Sequence, residues 1–112
     1  MKIFISIVLL LSLSTSLSAY YKKGMQKWKR MCIECHGSPI RGARMYTQSE
    51  WEDIRDSSQT PILELHKDDK ESFSILEKKM TKKSSKYLFE FLIGNAKDSG
   101  VVPGCDSNYC GP

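Results

Sequence analysis

The stretch Cys32-Ile33-Glu34-Cys35-His36 constrains this chain more than any other. Two thiols stand three positions apart, about one helical turn, and an imidazole follows at once. That spacing fits covalent attachment of haem c, with both thiols joined to the vinyl groups as thioethers and His36 giving a neutral nitrogen to the iron from beneath the ring. One short peptide would then fix the whole cofactor. A buried tetrapyrrole would in turn supply much of the apolar interior of a chain this short.

The first nineteen residues are set apart from the fold. Lys2 gives a positive start, Ile3 to Leu11 an apolar run, and Ser16, Leu17, Ser18 and Ala19 small residues for cleavage, the pattern of a secretory signal peptide. Retention as an anchor is the alternative, but the apolar run is shorter than the ~20 residues of a spanning helix. The expected mature chain, Tyr20 to Pro112, has about 90 residues, enough for one small domain. Residues 20–98 are expected to form that domain and 99–112 an irregular tail.

Export to the periplasm would place all four cysteines in an oxidising compartment, which argues against a cytosolic zinc site. Two belong to the motif. Cys105 and Cys110 remain, with turn-forming residues between them, and a local disulfide is expected. The formal charge is +4. Lys22, Lys23, Lys27, Lys29 and Arg30 form one basic block, and Lys78, Lys79, Lys82, Lys83 and Lys86 form another. Glu50 to Asp56 and Glu64 to Glu71 are largely acidic, so the molecule is expected to be dipolar. Lysines near a redox centre steer acidic partners, and simple solubility is the competing explanation. Nucleic acid is an unsuited partner outside the cytoplasm, and a monomer is expected.

Helical periodicity runs through the chain, and no repeat or strand-like alternation interrupts it. Tyr21, Met25, Trp28, Cys32 and Cys35 share a face up to the motif. Gly37 to Ala43 reads as a loop, because Gly and Pro break a continuing helix. Thr47 or Ser49 caps a second helix to about Asp56, burying Trp51 and Ile54. Thr60 and Pro61 open a short segment ending near His66. A third helix from about Glu71 to Met80 buries Phe73 and Leu76. Ser84 or Ser85 caps a last helix whose Tyr87, Leu88, Phe91, Leu92 and Asn95 share a face. The fold class is therefore all-α, a bundle of about four short helices.

Gly24, Trp28, Cys32, Cys35 and His36 also resemble the pattern of class I c-type cytochromes: glycine, aromatic, then haem motif at four-residue steps. The resemblance implies a cytochrome c-like bundle around one haem, with the glycine where the first helix crosses the last. It implies too that a backbone carbonyl after His36, at Ile40 or a neighbour, accepts the ring Nδ1 proton. The order Cys-x-x-Cys-His, Trp51, His66 and a Tyr-Leu helix resembles, further, a haem-binding half of bacterial dihaem cytochromes. There the histidine at the place of His66 is the distal ligand.

The sixth iron ligand is open among three residues. His66 stands first by that order, Met80 second by its place before the last helix, and Met45 third. The function expected is periplasmic electron transfer, one electron at a time, between larger redox proteins, with no catalytic residue beyond the iron. An open distal side would instead make a haem enzyme or gas sensor. A redox-active Cys32 and Cys35 dithiol would need a strand-helix-strand framework, which the helical pattern does not offer.

Overall fold

Between Thr81 and Asn95 apolar residues occupy more than one side of the expected helix, and such a helix has to be covered on more than one side. The computed structural model describes residues 15–100 and puts this helix at the centre of the protein. In chain order the described helices are α1 (Thr15–Met31), α2 (Ile33–His36), α3 (Pro39–Ala43), α4 (Gln48–Asp56), α5 (Pro61–Leu65), α6 (Lys70–Lys79) and α7 (Lys82–Gly94). No strand occurs among the described residues, and the chain is an all-α bundle. Four of the helices are long, α1, α4, α6 and α7; α2, α3 and α5 are single turns between them. The expected leader lies outside the described residues except for the helical backbone of 15–19, and the Cys105 and Cys110 pair lies outside them altogether.

α7 is packed by α1, α3 and α4. Leu88, Phe89, Phe91 and Leu92 are each about 1% exposed, so the helix carries the core on two sides. Phe89 was not on the face expected from sequence. It meets Trp51 of α4, ring centroids 6.3 Å apart and nearly perpendicular, on a side that single-face periodicity does not identify. On the opposite flank α1 crosses at Gly24. A Cβ there would run into the Tyr87 carbonyl oxygen and the Phe91 Cβ, so the close approach of the two backbones requires glycine.

Local chemistry sets where the other helices begin. Thr47 closes a capping box on α4: its hydroxyl accepts from the Glu50 N–H at 3.2 Å, and the Glu50 carboxylate accepts from the Thr47 N–H at 3.3 Å. α7 starts earlier than expected. Its cap is Thr81, whose hydroxyl accepts from the Ser84 N–H at 3.0 Å, so Ser84 and Ser85 lie inside the first turn. The segment after His36 is also not a plain loop. Ser38 caps α3 and Pro39 takes its first position, where the missing N–H is no loss, so the proline begins a helix rather than breaking one. Leu76 is buried as expected, whereas Phe73 is only half-buried.

Trp51 ties α4 to α3. It is 3% exposed and its indole N–H donates to the Ala43 carbonyl at 2.8 Å. Trp51→Phe removes the donor and strands that carbonyl in the core. The expected cost is about 1–3 kcal/mol, read as a lower denaturation midpoint at unchanged slope.

Candidate functional site

The motif sits where α1 ends. Cys32 leaves helical geometry at φ −121°, although its N–H still bonds the Trp28 carbonyl at 2.8 Å. The Cys35 and His36 N–H groups turn back onto the Cys32 carbonyl at 3.2 and 2.9 Å, wrapping the motif into one tight turn. Gly37 then takes φ +79°, a left-handed conformation that a side chain would strain, and the chain reverses. Trp28 holds the reversal in place. Its indole N–H donates to the Gly37 carbonyl at 2.9 Å, and its ring packs where a Cβ on Gly42 would otherwise sit. The Ile40 carbonyl accepts from the Arg44 N–H at 3.0 Å where α3 ends.

His66 reaches the same place from the other side of the chain. Pro61 and Ile62 bury the start of α5, and His66 caps its end. Its Nδ1 lies 2.7 Å from the Ile62 carbonyl, which can only accept, so in the neutral ring Nδ1 carries the proton and the lone pair is on Nε2. The His36 and His66 ring centroids are 6.0 Å apart with planes at 80°. The Trp28 ring stands 5.9 Å from that of His36. Thus the chain's two histidines, far apart in sequence, become neighbours.

Both line a cavity of about 480 Å³ together with Cys32 and Cys35. Its floor is the core itself, through Trp51, Ile62, Leu76, Leu88 and Leu92. Its rim is apolar where a surface is usually polar. The exposed large hydrophobics among the described residues, Ile33, Met45, Leu65 and Ile75, all line this cavity. Leu65 is 53% exposed at that rim. Met80 is absent from the lining; it ends α6 and lies half-buried against the core. Lys29, Arg30, Lys78 and Lys79 complete the rim, so the two basic blocks meet here. Tyr46 and Ile75 are cavity residues that sequence reasoning missed, because neither falls on a motif.

Burial pushes the Cys32 thiol up to about 12, with Cys35 adding to the effect. At neutral pH it stays protonated, the opposite of the low thiol pKa that a redox-active dithiol uses. His36 is held below its ordinary value near 6.5, first by burial and then by the neighbouring His66. The folded chain therefore favours neutral His36, the form that binds metals. Because the folded value is the lower one, this stability is present above about pH 6.5 and is lost as pH falls through the depressed value. Asp56 and Asp69, held low by hydrogen bonds from Arg55 and Ser72, lose theirs only below about pH 4. With no metal on His36, melting temperature is thus expected to fall as pH drops below about 6.5, and to fall less in His36→Gln; equal slopes would refute the assignment.

These elements define an all-α protein with two imidazoles and two thiols gathered on one apolar cavity. No known protein family, curated protein or solved structure matches the chain. Among the described residues no helix is long and apolar enough to cross a membrane, and no three His, Cys, Asp or Glu side chains cluster to hold a bare metal ion.

Proposed function

We propose that this chain is a periplasmic electron carrier of the c-type cytochrome class, holding one haem c in the cavity between His36 and His66. The observation that carries the reading is the 6.0 Å separation of the two rings beside Cys32 and Cys35. An imidazole nitrogen binds a first-row metal at about 2 Å, so two rings on opposite sides of one iron have centroids roughly 6 Å apart. Two imidazoles are too few for a bare ion and suit an iron whose other ligands come from a macrocycle. The apolar rim supports the same reading, since a large flat apolar group would cover Ile33, Met45, Leu65 and Ile75.

In this reading Cys32 and Cys35 would hold the macrocycle as thioethers, and the tight turn at Cys32 would keep His36 beside it. His66 would supply a second nitrogen to the iron, oriented by its bond to the Ile62 carbonyl. Bound there, haem c supplies reversible one-electron exchange at its iron. Trp51, Leu76, Leu88 and Leu92 keep water from one side. With His36 and His66 both holding the iron no protein-free position would be left for a substrate, which favours a carrier over an enzyme or gas sensor. The lysines at the rim would steer acidic redox partners.

The test is a pyridine haemochrome spectrum with intact mass on exported protein. One covalent haem per chain is expected, together with resistance of the reduced protein to carbon monoxide. Absence of covalent haem overturns the proposal, and avid gas binding by the native protein would replace the carrier with the sensor.

A further inference from the structure

A second cavity, of about 340 Å³, opens where the joint between α6 and α7 passes α1. Its walls are Lys27, Arg30 and Met31 of α1, Lys79 at the end of α6 and Ser84 in the first turn of α7. Lys27, Arg30 and Met31 are three and four positions apart, so helical spacing puts them on one face. Lys79 brings a third positive charge from a separate helix. Among the described residues no carboxylate pairs with any of these cations; the ion pairs there, Arg55 with Asp56 and Lys67 with Glu64, lie elsewhere. Ser84 is 7% exposed and its hydroxyl oxygen accepts from the Thr81 hydroxyl at 3.0 Å.

Three like charges around one concavity repel one another, and an anion among them relieves that repulsion while gaining charge-assisted hydrogen bonds. Guanidinium and ammonium donors together suit a tetrahedral oxyanion, the arginine through paired N–H groups and the lysines as point charges. A concave site favours a small ion over the flat face of a partner protein. Arg30 and Lys79 line this cavity and the larger one as well, so neutralising them changes the field in both.

We propose that this pocket binds a small multivalent oxyanion of the phosphate class, and that its occupancy lowers the reduction potential of the adjacent centre. The second half rests on the haem reading above; the first half does not. The sign follows from Coulomb's law, because added negative charge stabilises the oxidised, more positive iron.

The test is calorimetric titration of the full exported protein with inorganic phosphate and with pyrophosphate, ionic strength being held constant with chloride. Saturable one-site binding is expected. It should weaken at least tenfold in Lys27→Gln/Lys79→Gln and stay within twofold in Lys70→Gln/Lys97→Gln, which removes equal charge outside the cavity. Lys27→Gln alone, expected to weaken binding in the same direction, serves if the double variant fails to fold. Absence of saturable binding, or equal weakening in both double variants, overturns the site and leaves the cations to an acidic protein partner. Potentiometry then reads the coupling: phosphate should lower the midpoint of the native protein and leave that of Lys27→Gln/Lys79→Gln unmoved. Binding without that shift overturns the coupling. Saturable binding to a chain found to lack haem sustains the pocket and overturns only the reading of the larger cavity.

Discussion

With haem bound as proposed, His66→Ala is expected to turn a protein resistant to carbon monoxide into one that binds it fully when reduced, with the covalent haem retained. The native ring is held from behind by its bond to the Ile62 carbonyl and stands 6.0 Å from His36, so with haem bound as proposed it would be the second protein ligand to the iron. Removing it leaves the floor of the cavity intact, because Trp51, Ile62 and Leu76 belong to the core and not to the ligand. Cys32, Cys35 and His36 are also untouched, so mass and haemochrome yield should not change. Met80→Ala is the informative companion. That residue does not line the cavity, and its loss is expected to leave the absorption spectrum and gas resistance as they were. A sulfur-to-iron band in the oxidised native protein that vanishes in Met80→Ala would reverse the assignment. Met45 does line the cavity, so such a band vanishing instead in Met45→Ala would give that residue the position.

Gly24→Val is expected to cost about 3 kcal/mol or more, since overpacking a tight contact typically costs 1–3 kcal/mol and here the obstruction is partly backbone. A domain of this size is stable by roughly 5–10 kcal/mol, so the loss is a large share of the total. The first added carbon already meets the Tyr87 carbonyl oxygen and the Phe91 Cβ, neither of which can rotate away. Even Gly24→Ala should destabilise. Alanine gains about 1 kcal/mol of helix propensity over glycine, but that gain is smaller than the cost of prising α1 from α7. The displacement would travel along α1 to Trp28 and Cys32, so haem incorporation is expected to drop together with the urea midpoint. A stabilising Gly24→Ala would show that the helices do not meet there.

Some elements could be read directly because their signals are local. Thr47 with Glu50 is a capping box within one turn, and Pro61 falls at the first position of α5, both adjacent to the residues they act on. Other starts were misplaced where two local signals competed. Ser84 and Ser85 resemble caps, yet Thr81 takes that place because Met80 ends α6 with its N–H on the Leu76 carbonyl and α7 starts at once. Pro39 was read as a breaker when Ser38 before it made it a starter. Phe89 was missed because periodicity marks one face, whereas α7 is covered by α1 on one flank and α4 on another.

The thiols, the imidazole of His36 and their common turn were fixed by five consecutive residues, because hydrogen bonds within a single turn set their relation. The helical class is legible too in the periodicity of the whole chain, and the place of Gly24 at a helix crossing is what the resemblance to class I c-type cytochromes implies. Tertiary structure alone brought His66 to His36, left Met80 out of the cavity lining, and joined two distant lysine blocks at one rim. Those relations depend on how α5, α6 and α7 stack on α1. That stacking is decided by the summed burial of Trp28, Trp51, Leu76, Phe89 and Phe91, a sum in which no local stretch of sequence carries more than a part.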